Sequence, residues 1–104
     1  MFLAMNRFKV EAGREEDFEN VWKNRQSSLN EMEGFKEFHL MRGSLNKEEN
    51  YTLFASHTIW NSEQDFVAWT KSENFRQAHK NAGNNEKLYL GHPQFEGFKA
   101  VDGA

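Results

Sequence analysis

Residues 51–69 read YTLFASHTIWNSEQDFVAW, and two structural periods meet inside them. Tyr51 to Trp60 reads as an extended strand. At Ser62 the pattern changes. A hydroxyl suited to cap a helix stands three residues before Asp65, and Phe66 and Trp69 then follow at helical spacing. This strand-to-helix junction orders the rest of the chain.

On its N-terminal side, Gly34 restarts an extended pattern, and Phe35 to Arg42 reads as a strand joined to Tyr51 by a polar, hairpin-type connector, Gly43 to Asn50. Before that, Phe18, Val21, Trp22, Arg25 and Leu29 fall at helical spacing behind the early acids Glu15, Glu16 and Asp17, which favour a helix N-terminus. Met1 to Val10 alternates as a strand ended by Gly13, with Phe2, Ala4, Asn6, Phe8 and Val10 on one side. On the C-terminal side, Ser72 recaps a helical piece bearing Phe75, Ala78 and His79, and Gly83-Asn84-Asn85 stops it. A loop through Gly91-His92-Pro93 then leads to a last strand, Phe95 to Val101. The order is β-α-β-β-α-β, an α+β ferredoxin-like antiparallel sheet with helices on one face, in a single domain over residues 1–104. Leu3, Met5, Phe38, Leu40 and Phe54 are assigned to the other face, and so much apolar surface predicts a two-fold homodimer packed sheet against sheet.

Composition narrows the function. Ten Phe, three Trp and two Tyr in 104 residues make an aromatic core and an aromatic pocket wall. A net charge of -3 and the lack of a basic stretch interleaved with aromatics argue against nucleic acid. The absence of cysteine excludes disulfides, thiol catalysis and iron–sulfur clusters. The apolar opening Met1 to Met5 is too short for a signal-peptide core or a membrane span, so the expected compartment is the cytoplasm.

His39, His57, His79 and His92 form no H-x-H or H-E-x-x-H pair, so side chains alone offer no local metal signature. Haem needs only one protein imidazole, because the porphyrin supplies four nitrogens. His79, one turn after Phe75, is the candidate; a half-buried histidine bonded at a helix end is the competing reading. Asn6 lies between core-facing Ala4 and Phe8, either satisfied by neighbouring backbone or kept for a ligand. Taken alone, Trp69 reads most simply as the anchor that packs its helix on the sheet.

Taken together, Asn6 in the first strand, the Trp60 to Trp69 stretch W-x-S-x-x-D-F-x-x-W, and His79 ten residues on resemble the IsdG-type haem-degrading monooxygenases. These belong to the antibiotic-biosynthesis-monooxygenase superfamily of dimeric α/β barrels, and the similarity runs from Met1 to the last strand. The resemblance implies that haem is both cofactor and substrate, and that its ring is opened with O2 and electrons from a reductase or ascorbate, freeing iron and a linear tetrapyrrole. It implies His79 as the proximal iron ligand, Asn6 as hydrogen-bond partner of a distal ligand, and Trp69 pressing on the macrocycle. Phe75 would share the His79 wall, Trp22 would line the cleft and Arg25 would approach a propionate. Three other functions fit the same pattern: a cofactor-free monooxygenase of quinols or aromatic polyketides, which has no use for His79 as an axial ligand, a haem carrier or sensor that leaves its ligand intact, and a dimeric stress or structural module with an empty cleft.

Overall fold

The computed structural model describes residues 1–25, 28–79 and 88–104. Its elements are β1 (Phe2–Glu11), α1 (Glu15–Asn24), a 3-10 turn (Leu29–Glu31), β2 (Phe35–Asn46), β3 (Tyr51–Trp60), α2 (Glu63–Thr70), α3 (Glu73–His79) and β4 (Tyr89–Lys99). All strand pairs are antiparallel, in the order β2-β3-β1-β4. That is the ferredoxin-like arrangement, with the helices packed on one face. Among the described residues no helix is long and apolar enough to cross a membrane.

Local chemistry sets the helix starts. The Ser62 hydroxyl accepts a hydrogen bond from the Asp65 backbone N–H at 3.2 Å, and the Ser72 hydroxyl accepts one from the Phe75 N–H at 3.1 Å, each satisfying a donor that a first turn leaves unpaired. Gly34 precedes β2 at φ +81°, a conformation glycine adopts freely, and it abuts Asp65 so closely that a Cβ there would collide with that side chain.

Four boundaries and orientations differ from the expectation. The first helix stops at Asn24: Arg25 is already extended and Leu29 sits in the 3-10 turn, because Arg25 opens a polar, serine-containing stretch that holds a helix poorly. β2 runs on to Asn46, with a register shift between Arg42 and Leu45, so the connector shrinks to residues 47–50. β4 begins at Tyr89 and absorbs Gly91-His92-Pro93. The sheet tolerates this because a register shift faces Arg7 to Lys9, Gly91 takes φ +68°, and Pro93 lies on an edge strand where its missing N–H is no loss. The helix stop at Gly83-Asn84-Asn85 lies outside the described residues.

The fourth difference concerns sheet phase. Phe38, Leu40 and Phe54 point toward the helices, not away from them: Phe54 pairs with Phe8 and is 1% exposed, and Phe38 and Leu40 pack on the core. A strand apolar on both faces carries no internal signal of which face turns inward, and pairing with β1 decides it. The free face is instead built from Leu3, Met5, Leu53, Ala55 and Ile59 on the central strands, flanked by exposed Met41 and Phe98.

Beneath the helices the core divides. One cluster gathers Phe2, Ala4, Leu29, Trp60 and Trp69; the other gathers Phe8, Val10, Phe18, Phe54 and Leu88. Phe18 anchors α1 with ring centroids 5.0 Å from Phe54 and 5.2 Å from Phe8, and burial of one such ring stabilises the fold by about 1.5–3 kcal/mol. On β1, Asn6 falls between the two clusters.

Candidate active site

The gap between the clusters is a cavity of about 590 Å³, inside the range of about 300–1,000 Å³ usual for small-molecule and cofactor sites. Asn6, Trp22, Arg25, Trp69, Phe75 and His79, six residues from four elements or their ends, all line it. Sequence reading missed Phe35, Phe38, Phe66 and Phe95 on the walls and Ser56 and Thr58 on the floor. The floor residues had a usable signal: β3 reads hydroxyl at every second position from Thr52 to Thr58 apart from Phe54, the spacing of one sheet face.

His79 ends α3. Its ring stacks on Phe75 with centroids 4.1 Å apart and meets Trp69 at 5.9 Å, while Phe75 and Trp69 sit edge to face at 4.8 Å. Nδ1 lies 2.8 Å from the Phe75 carbonyl oxygen. A carbonyl only accepts, so Nδ1 carries the hydrogen and donates it, which leaves Nε2 as the ring's free lone pair. Burial pushes the His79 pKa below its ordinary value; the Phe75 carbonyl works against that shift, and the Arg25 charge adds to it. The imidazole is therefore neutral at neutral pH, the form that ligates metals.

That shift has a measurable consequence. The unfolded chain takes up the His79 proton first as pH falls below about 6.5, so the stability associated with the neutral ring is full above that pH and is lost toward the folded-state pKa. Urea midpoints of the ligand-free protein are expected to fall between pH 7 and pH 5, with a smaller fall for His79→Gln; equal falls would show that His79 does not titrate differently in the two states.

Arg25 leaves the helix and lays its guanidinium over Trp22 at 4.1 Å, while Trp22 stacks on Phe38 at 5.7 Å. Burial lowers the Arg25 pKa, opposed by Tyr89, yet an arginine so shifted stays charged, and it places a cation on the cavity lining. Trp69 is 8% exposed, and its indole N–H has no partner among the described residues. It packs on Trp60 at 5.6 Å and presents ring surface to the cavity, so anchor and pocket wall are the same residue. The Asn6 carboxamide also has no hydrogen bond among the described residues.

The lining offers one imidazole and, among the described residues, no carboxylate or thiol. A metal held here must bring most of its own donors, as a porphyrin does, and a flat aromatic ligand matches the stacked walls.

The sequence model for antibiotic biosynthesis monooxygenase matches residues 1–81. The chain belongs to that family. Another of its similarities is to a heme oxygenase (staphylobilin-producing) of Staphylococcus haemolyticus, 31% identical over 81 residues that make up 78% of this chain and 75% of the relative. Solved structures of the antibiotic biosynthesis monooxygenase fold superpose closely. The heme-degrader MhuD of Mycobacterium tuberculosis, solved with two hemes in its active site, gives a TM-score of 0.71 at 22% identity over 97% of this chain and 96% of that one. SnoaB of Streptomyces nogalater, a cofactor-independent oxygenase, gives 0.65 at 19% over 97% and 93%. At such identities both likenesses speak to the fold alone.

Proposed function

We propose that this member of the antibiotic biosynthesis monooxygenase family binds haem in the cavity and opens the porphyrin ring oxidatively, with O2 and electrons from a reductase or ascorbate, releasing iron and a linear tetrapyrrole. The observation that carries the reading is His79: a neutral imidazole whose Nδ1 is held by the Phe75 carbonyl and whose Nε2 is left for iron, on the wall of an aromatic cavity. The named activity of the staphylococcal relative supports it.

When bound, haem supplies both the iron at which O2 is activated and the ring that is cut. The chain's residues then divide the work. His79 ligates from the helical side, with Phe75 fixing its tautomer and stacking on its ring. Asn6 presents amide donors from the sheet side, and Trp69 presses its ring face on the macrocycle. Trp22 closes the wall, and the Arg25 guanidinium pairs with a propionate, a geometry suited to a carboxylate. The half-buried free face of the sheet fits burial against a second copy in a homodimer; a sedimentation mass of one chain would overturn that part.

Aerobic incubation of the haemin complex with ascorbate and an iron chelator tests the whole reading. The Soret band should decay, chelated iron should appear, and mass analysis should find an opened tetrapyrrole. A stable Soret band under those conditions makes the protein a carrier. No spectral change on adding haemin favours the cofactor-free oxygenase, the reading that the SnoaB likeness keeps in play.

A further inference from the structure

We propose that Ser56 is a second ligand-contacting residue on the cavity floor, donating a hydrogen bond beside Asn6 to a small ligand held between the macrocycle and the sheet; this rests on the haem reading above. Asn6 on β1 and Ser56 on β3 are register partners, so their side chains leave the same face of the sheet as neighbours, at about 4.5–5.5 Å between Cβ atoms. Both line the cavity.

Hydrogen-bond accounting singles Ser56 out. β3 buries three hydroxyls on the helix-facing side, at Thr52, Ser56 and Thr58. Thr52 Oγ1 donates to Glu15 Oε2 at 2.8 Å, and Thr58 Oγ1 donates to the Ala4 carbonyl at 3.3 Å. Ser56 is 8% exposed, and its hydroxyl has no hydrogen-bond partner among the described residues. Its oxygen is not among the buried side-chain atoms left without a partner, so the hydroxyl opens onto the cavity and is available to a ligand there. Its neighbour Asn6 is likewise unpartnered. The next residues along the same row are apolar, Leu40 opposite Ser56 and Phe95 opposite Asn6. Thr58 beside Ser56 already bonds the Ala4 carbonyl, so Asn6 and Ser56 form a polar spot two residues wide in an aromatic chamber, with N–H and O–H donors side by side. That matches a ligand of one to three atoms with hydrogen-bond-accepting character, not the edge of a ring.

Azide binding to haemin-saturated protein reads the spot directly, by its shift of the Soret and visible bands. Loss of one donor to an anion should raise the azide Kd about tenfold in Ser56→Ala, whereas Ser56→Thr, which keeps the hydroxyl, should stay within about threefold of the parent. A double-mutant cycle with Asn6→Ala should give a non-zero coupling, because the two donors share one acceptor. The melting temperature of ligand-free Ser56→Ala should not fall. An azide Kd unchanged in Ser56→Ala overturns the proposal while leaving the haem reading intact, and a lowered melting temperature with unchanged azide affinity assigns Ser56 a purely structural role. Absence of any haemin spectrum in the parent protein overturns the haem reading first, and Ser56's role with it.

Discussion

In His79→Ala, haemin titrations should lose the Soret band of a histidine-ligated haem, and affinity should fall at least ~10²-fold. Removing a partner that merely orients a metal-bound histidine costs about 10–100-fold, so removing the ligand itself costs more. The fold should survive. His79 is only half-buried, and the stacked Phe75 contact it loses is worth about 0.5–1.5 kcal/mol, a fall of several degrees in melting temperature. Free imidazole added to the variant should restore a ligated spectrum, because the deleted ring leaves room beside Phe75 and Trp69. Undiminished haemin affinity in His79→Ala would falsify proximal ligation and move the reading toward the cofactor-free oxygenase.

Asn6→Ala is expected to behave oppositely, holding haem through His79 but opening it slowly. Deleting a donor aimed at charge that develops during reaction typically slows chemistry by roughly 10²–10³-fold, and the lower end is expected here because Ser56 remains beside the gap. Single-turnover decay of the Soret band under air with ascorbate measures it. The ligand-free variant should be no less stable than the parent, since the carboxamide bonds nothing among the described residues and its removal leaves no orphaned partner. Parent-like decay in Asn6→Ala would remove the distal role. A lowered melting temperature would return Asn6 to the structural reading.

The two variants together separate binding from turnover. Ligation without turnover in Asn6→Ala and turnover-competent apparatus without ligation in His79→Ala are different failures, and a carrier protein would show the first phenotype in its parent form.

The amino-acid sequence alone determined the element order, because the signals for it are local: Ser62 and Ser72 cap their own helices, early acids mark the first helix, and Met1 to Val10 alternates within itself. It also singled out Asn6, Trp69 and His79, together with Trp22, Arg25 and Phe75, all of which line one cavity. Tertiary structure decided what depends on partners distant in the chain. The inward turn of Phe38, Leu40 and Phe54 follows from register against β1, which no strand encodes alone. The start of β4 follows from a register shift and an edge position that excuse Gly91 and Pro93. The neutrality of His79 follows from burial and from Arg25, more than fifty residues away, whereas its tautomer is set within its own helix by the Phe75 carbonyl. The cavity itself exists because two hydrophobic clusters close on either side of Asn6 and Ser56, and only packing of the whole sheet under its helices leaves that gap.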